Sequence, residues 1–341
     1  MTITTIGIDI GKRWFHLVGC NAAGRPILRK KVERTHLIGV LANVPACLIG
    51  MESCAGSQHL AREFHKLGHD VRLISPRFVK PYLKSDKNDF NDAEAIAEAV
   101  TRPTMRFVPV KTPEQLDIQA AHRVRERLVG ERTAVINQIR GFLLESGICV
   151  RQGRRALREA VPSILEDASN SLSVRMRTLL DRMRHHWLVL EGEIAAVTDE
   201  IETIVAQDDN CRRLATIPGI GPIGASAIVA AVGNASAFSR GRDFSAWVGL
   251  VPKQRSTGGR PTLLGINKRG NSYIRKTLVH GARSLVHMLR RERHNMGSWI
   301  TQLEKRVHRN VLVVALANKL ARIAWAVLTK KEDYRPGLPV A

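Results

Sequence analysis

An α/β segment followed by a mainly α-helical remainder (α/β plus α) is the fold class predicted for this chain, and three features predict it. Up to about residue 75, short apolar runs bounded by turn residues show the two-residue alternation of strands. From Thr112 to Ile204, apolar residues recur at the three-and-four spacing of helices. After Cys211, apolar helical segments continue but are broken by Gly and Pro.

Ile6 and Ile8 alternate with their neighbours and Gly11 follows, which predicts a first strand ending at Asp9 and turning into a hairpin with Trp14 to Gly19. A second apolar run, Cys47 to Met51, is closed by Glu52 before the break at Ala55-Gly56. A helix over Gln58 to Leu67, terminated by Gly68, leads into a strand over Asp70 to Ser75. Asp89 and Asp92 fall in the first turn of a further helix with Ala93, Ile96, Ala97 and Val100 on its apolar side.

This order places four carboxylates, Asp9, Glu52, Asp89 and Asp92, at two strand ends and one helix start, where an RNase H-like metal site would put them. Asp89 and Asp92 are three residues apart and share a helix face. Carboxylates so crowded repel one another unless cations neutralise them, and a pair of divalent ions is the usual solution in phosphodiester chemistry. Taken singly, each acid is explained as well by a turn or a helix cap. The four in this order are not. The GIDIG segment at Asp9 also occurs at the phosphate-binding turn of sugar kinases and actin-like ATPases, so that motif alone leaves an ATPase open.

The 341 residues are enough for two or three domains, and a hydrophobic fraction of 44% builds real cores and excludes a disordered chain. Against 31 Asp and Glu stand 53 Lys and Arg, a formal charge of +22, which predicts a polyanionic partner and strong salt dependence. The run Val311 to Leu328 is interrupted by Asn318, Lys319 and Arg322, so no segment is read as spanning a bilayer and no membrane is expected as a partner. The start lacks a basic n-region and enters a strand directly, which argues against a signal peptide. Cys20, Cys47, Cys54, Cys149 and Cys211 are odd in number and contain no CxxC pair; they read as reduced, buried thiols of a cytoplasmic protein, with neither zinc nor disulfide spacing.

Thr112-Pro113-Glu114-Gln115 is a helix start, with an N-cap, a proline at the first helical position and a capping-box Gln. The helix it opens carries Leu116, Ala120, Val124, Leu128, Val135, Ile139 and Phe142 on one side, and ends at Gly147. Its other side holds Arg123, Arg125, Arg127, Arg132 and Arg140, either a solvated face or one that tracks phosphates. Met176, Leu180, Met183, Trp187, Leu190, Ile194, Val197, Ile201 and Ile204 follow a heptad pattern, which predicts a coiled coil between chains or an antiparallel helix packed on its own domain.

Pro218, Gly219, Gly221 and Pro222 then separate two apolar helical segments, a helix-hairpin-helix pattern whose backbone N–H groups suit a phosphate. Downstream, Ser256 and Thr257 precede Gly258-Gly259, with Arg255, Arg260, Lys268, Arg269 and Arg275 around them. A serine among cations can attack a phosphodiester; a polar glycine-rich loop is the plainer explanation. From Lys253 to Lys331 the basic residues, Arg275, Lys276, Arg283, Arg290, Arg291, Arg293, Lys305, Arg306 and Arg309 among them, outnumber the acids Glu292 and Glu304, as a phosphate-binding region would.

In combination these segments resemble a known family. GIDIGK at Asp9, GMES at Glu52, KNDFNDAEAIAEA at Asp89 and Asp92, LATIPGIGPIGA, and FSAWVGLVPKQRSTGGRPTLLGINKRGNSYIR occur in the order found in the DEDD-type transposases of the insertion-sequence one-ten family, most closely its eleven-eleven subgroup. The resemblance covers nearly the whole chain. It implies a RuvC-like domain over residues 1–150 with a helical extension from about 112, a coiled-coil linker over 151–208, and a C-terminal transposase domain over 209–335 carrying a catalytic serine.

By motif position, Asp9, Glu52, Asp89 and Asp92 take the metal-binding roles for two Mg²⁺ ions, and Ser256 forms a 5′-phosphoserine link to DNA. Thr257 is the alternative register, and Ser256 is preferred as the less hindered primary hydroxyl. The resemblance also implies a bacterial, nucleoid-associated recombinase working as a dimer or tetramer with composite sites. Its partners are donor and target DNA and a non-coding bridge RNA, or seekRNA, that pairs with both. A metal-dependent nuclease or junction resolvase using water, and a non-catalytic basic binding protein, remain the competing readings of the residues themselves.

Overall fold

The computed structural model describes residues 2–84, 88–289 and 295–336, and the chain forms two compact units, Met1–Thr112 and Pro113–Ala341. Arg290, Arg291, Glu292 and Arg293 lie outside the described residues.

In the first unit, β1 (Thr5–Ile10), β2 (Trp14–Cys20), β3 (Pro26–Glu33), β4 (Leu48–Glu52), β5 (Asp70–Ile74) and β6 (Phe107–Val108) form one sheet in the order β3-β2-β1-β4-β5-β6. The β1–β4 and β4–β5 pairs are parallel and the others antiparallel. Around the sheet lie α1 (Leu37–Ala42), α2 (Ser57–Lys66), α3 (Pro76–Val79) and α4 (Asp89–Val100).

Alternation along the central strands decides what each face meets. Ile6 and Ile8 of β1 and Ile49 and Met51 of β4 bury against Leu37 and Leu41 of α1 and against Leu60, Ala61 and Phe64 of α2. On the opposite face Gly7 and Gly50 sit side by side across the β1–β4 pair, and α4 rests directly on them. A Cβ at Gly7 would stand 2.0 Å from the Ala93 carbonyl oxygen and 2.5 Å from the Ala97 nitrogen; one at Gly50 would stand 2.8 Å from Val100 Cβ.

The contact at Gly7 is with helix backbone, which cannot rotate aside as a side chain can. Gly7→Ala is therefore expected to lift α4 from the sheet at a cost of about 3 kcal/mol, the upper range for overpacking. Urea unfolding reads this directly, and an unchanged midpoint would show that α4 does not lie on Gly7.

The second unit contains α5 (Pro113–Glu145), α6 (Arg154–Glu166), α7 (Val174–Gln207), α8 (Asp209–Ala215), α9 (Pro222–Val232), α10 (Gly241–Val248), the hairpin β7 (Pro252–Thr257) and β8 (Arg260–Ile266), α11 (Ser272–Met288), α12 (Asn295–Glu304) and α13 (Arg309–Lys330). Helices α5 and α7 run antiparallel, because Arg125 Nε donates to Thr198 Oγ1 at 2.8 Å while Arg132 Nη1 bonds Glu191 Oε2 at 3.4 Å. All nine heptad residues of α7 are buried or half-buried. Leu180 and Trp187 pack with Ile139 and Leu143 of α5 and Leu157 and Val161 of α6, and Ile201 joins Cys211, Leu214 and Ile228 of α8 and α9.

The heptad seam thus packs within the chain, the second of the two arrangements expected for it, with α5 as a partner helix of matching length. This packing also reassigns the arginines of α5. Arg125 and Arg132 reach across to α7, Arg127 pairs with Glu131, and Arg140 donates to the carbonyls of Val150, Arg151 and Gly153. Arg125, Arg132 and Arg140 thus serve the fold, Arg123 and Arg127 are exposed, and Ala120 and Val124, expected on the apolar side, are exposed as well.

Helix α13, with 22 residues, is long and apolar enough to cross a membrane despite the interruptions at Asn318, Lys319 and Arg322. Here it is the central helix of its unit. Leu312, Leu316, Leu320, Ala324 and Leu328 are buried in the core, Asn318 Nδ2 donates to Leu250 O at 3.3 Å, and Lys319 Nζ stands 4.7 Å over the Trp299 ring.

A buried imidazole ties three helices of this unit, since His122 of α5 bonds Ser226 Oγ of α9 and Tyr273 OH of α11, each at 3.0 Å. Burial, with Arg125 nearby, pushes the His122 pKa down to about 4, so the ring stays neutral. Cys20, Cys47 and Cys211 are buried as expected, whereas Cys54 and Cys149 are exposed; all five are free thiols.

Candidate functional site

The glycine pair that seats α4 also builds the acidic cluster. Two residues beyond Gly7 and Gly50, Asp9 and Glu52 point to the same side of the sheet as the glycines, toward α4. The first turn of α4 supplies Asp89 and Asp92. Asn88 caps that turn: its side-chain oxygen accepts the Phe90 N–H at 2.9 Å, and its carbonyl accepts the Asp92 N–H at 3.0 Å. The four acids read from the sequence therefore lie at one end of β1, β4 and α4, near enough for their charges to interact, and of the four Asp9 and Asp89 fall in the close donor cluster.

Their charges act on one another. Burial raises the Asp9 pKa above the usual carboxylate value, and the Asp92 and Asp89 charges raise it further, partly offset by His16 and a hydrogen bond from the Ile10 backbone. Burial likewise raises Glu52, with Asp9 and Asp92 adding to the effect. A cation would reverse both effects, and a set of oxygen donors with this mutual repulsion fits a divalent ion such as Mg²⁺ or Mn²⁺.

A fifth side chain belongs to this cluster and was not singled out in the sequence. His16 of β2 is the registered antiparallel neighbour of Asp9, is buried, and places Nδ1 3.5 Å from Asp89 Oδ2. Donor atoms of Asp9, His16 and Asp89 lie within 4.8 Å of one another. The signal was available in the hairpin register: a tight turn through Gly11 closes Ile10 onto Phe15 and leaves His16 opposite Asp9.

In the second unit the Gly-rich loop expected around Ser256 is a β-hairpin. Gly258 and Gly259 form its two-residue turn with φ of +57° and +76°, the positive values that a type I′ turn demands at both positions. Every residue of β7 is exposed. Ser256 Oγ accepts a 2.8 Å hydrogen bond from Gln254 Nε2. Lys253, Arg255, Arg260 and Lys268 are exposed and make no ion pair among the described residues.

The base of the hairpin is held down by Asn267 N–H to Val251 O and Lys268 N–H to Gly249 O, at 2.8 and 3.1 Å. Gly270 lies so close to α10 that a Cβ there would stand 1.8 Å from the Trp247 carbonyl. Arg275 serves this anchor, with Nη1 donating to Val248 O at 2.9 Å, while Arg269 is exposed beside it. In the α8–α9 connection Gly219 serves packing, because a Cβ on Gly281 of α11 would stand 1.8 Å from the Gly219 carbonyl. Gly221 is exposed as the N-cap of α9.

A family model described as a transposase, of the DEDD type of IS110, matches residues 6–148, and another described as "Transposase IS116/IS110/IS902 family" matches residues 211–296. Over 338 residues the chain is 44% identical to the probable family 20 transposase of Pseudomonas aeruginosa, covering 99% of this chain and 100% of that one. The chain belongs to the IS110/IS116/IS902 transposase family. It is also 44% identical to the transposase for insertion sequence element IS1328 of Yersinia enterocolitica, over 96% of this chain and 97% of the relative. With the transposase for IS1111A of Coxiella burnetii the identity is 41% over 98% and 92%, which supports the subgroup. The protein is therefore a transposase, an enzyme that cleaves and rejoins DNA, and its DEDD domain implies use of a divalent metal.

Proposed function

We propose that this transposase is an RNA-guided recombinase that breaks and rejoins DNA through a phosphoserine intermediate, served by a divalent-metal centre in an RNase H-like, RuvC-like first unit. The observation that carries the reading is the convergence of Asp9, Glu52, Asp89 and Asp92 in a chain of charge +22. The strand order β3-β2-β1-β4-β5, antiparallel then parallel, with acids at the ends of β1 and β4, supports the RuvC-like assignment. Asp9, Glu52, Asp89 and Asp92 would hold Mg²⁺, two ions by the family resemblance, which polarises the phosphoryl oxygens when bound.

In the chemical step Ser256 Oγ forms a bond to the scissile phosphorus and the bond to the 3′ oxygen breaks. The serine proton is released, and the 3′ hydroxyl leaves. The 5′-phosphoserine ester preserves the energy of the broken bond, and a 3′ hydroxyl of another strand attacks it to rejoin DNA and free the serine. Hydrolysis would discard that energy. The guide RNA and the homo-oligomer are supported by the family resemblance, and the RNA also by the positive charge.

The deciding experiment combines the purified chain with DNA carrying the element's joined ends, a target, and RNA transcribed from the element's non-coding segment. Recombinant product is expected only with the RNA present and only without chelator. Equal product after RNase treatment would remove the guide from the mechanism.

Phosphate contacts by the hairpin cations make a separate expectation. The logarithm of affinity for DNA should fall with the logarithm of salt at a slope of about −0.9 per phosphate contacted, and replacing Arg255 and Arg260 with Ala should flatten the slope by about 2. The loss should be alike for all sequences, since base pairing with the RNA reads the target. A slope unchanged by both substitutions would assign the hairpin to a protein surface.

A further inference from the structure

His16 has more structure around it than a core histidine needs. Its side chain is nine-tenths buried, and its ring meets the edge of Phe90 at 4.8 Å and 77°. Its polar neighbour at Asp89 lies at 3.5 Å, beyond the usual length of a hydrogen bond.

The spacing suits a shared ion instead. Around an octahedral centre with bonds of about 2.1 Å, donor atoms stand from about 3.0 to about 4.2 Å apart. The donor atoms of Asp9, His16 and Asp89 all lie within 4.8 Å of one another, little beyond that range. Three different elements bring them there: β1, β2 and the first turn of α4.

We propose that His16 is a nitrogen ligand of a divalent cation held by Asp9 and Asp89, which makes one position of the metal centre a mixed nitrogen–oxygen site. The proposal rests on the metal role of the acids given above. Its chemical consequence is selectivity. Mg²⁺ prefers oxygen donors and retains water, whereas Mn²⁺ and later first-row ions accept imidazole more readily. The site should therefore favour Mn²⁺ over Mg²⁺ by more than four carboxylates alone would, and part of that preference should reside in one side chain.

Pulsed electron paramagnetic resonance on the full-length chain loaded with Mn²⁺ tests this without reference to activity. A nitrogen modulation from coordinated imidazole is expected, converting from the ¹⁴N to the ¹⁵N pattern when histidine is labelled. It should vanish in His16→Gln, whose affinity for Mn²⁺ should fall about tenfold or more while that for Mg²⁺ falls less. Bound Mn²⁺ that is lost in Asp9→Asn but shows no histidine nitrogen in the unmodified chain would overturn the proposal and leave His16 as packing beneath α4. Failure of the unmodified chain to bind Mn²⁺, or binding unaffected by Asp9→Asn, would instead overturn the metal reading of the acids. The labelled unmodified chain decides the ligand question even if His16→Gln does not fold.

Discussion

Asp9→Asn is expected to abolish strand exchange while leaving the metal-free chain at least as stable as before. The two effects have opposite signs for one physical reason. Burial and the charges of Asp92 and Asp89 raise the Asp9 pKa, so without a cation the ionised group is a liability to the fold, and a neutral amide of the same shape removes it. With a cation bound, the same negative charge is what holds the ion. Losing it should lower the rate by about three orders of magnitude or more, equivalent to several kcal/mol of transition-state stabilisation.

Linkage gives a second readout. A carboxyl raised in the folded state binds protons more tightly there than in the unfolded chain, so stability without metal rises as pH falls through the raised range and declines as pH rises through it. Mg²⁺ should raise the thermal midpoint of the unmodified chain near neutral pH, and should do so much less for Asp9→Asn. Asp92→Asn should behave alike, since Asp92 acts on both Asp9 and Glu52. Full activity of either variant in chelator would detach the acids from catalysis.

The legible parts of the sequence were those where one local signal outweighed the rest. Strands β1, β4 and β5 and helices α2 and α4 stand within a residue or two of their expected bounds, because apolar runs and caps coincide there. Strand β3 was not visible, since Arg29, Lys30 and Lys31 are consecutive and exposed on an edge that pairs with β2 alone and shows no alternation. The role of Gly7 depends on a helix more than 80 residues away in the chain, and no local pattern encodes such an approach. The arginines of α5 divide in a way their sign does not show: Arg132 and Arg140 are committed to Glu191 and to loop carbonyls, which only the packing of α7 and the 150–153 loop reveals, while Arg123 and Arg127 stay exposed. For His16 and the β7–β8 turn the signals were present, as hairpin register and as Gly-Gly between two polar strands, and needed to be read as geometry rather than composition.

Ser256→Ala is expected to remove the covalent protein–DNA intermediate completely while the hairpin and its binding to nucleic acid persist. The substitution deletes one oxygen from an exposed strand whose turn is set by Gly258 and Gly259, so it should not disturb the fold. Strand alternation sharpens the choice between the two hydroxyls. Ser256 shares a face with Gln254, whose amide bonds its oxygen, while Thr257 shares the opposite face with Arg255 and is registered against Arg260. A nucleophile at 256 and one at 257 therefore require opposite faces of the hairpin to meet DNA, and Thr257→Ala should retain turnover if the serine face is the working one. Trapping the adduct on a nicked substrate and mapping the modified peptide separates the outcomes. An adduct on Thr257 would turn the hairpin over and make Arg255 and Arg260 the immediate neighbours of the phosphate. Cleavage at normal rates with no adduct would mean that water, not the hairpin, attacks the phosphate, and the acids at Asp9, Glu52, Asp89 and Asp92 would then serve a hydrolytic nuclease.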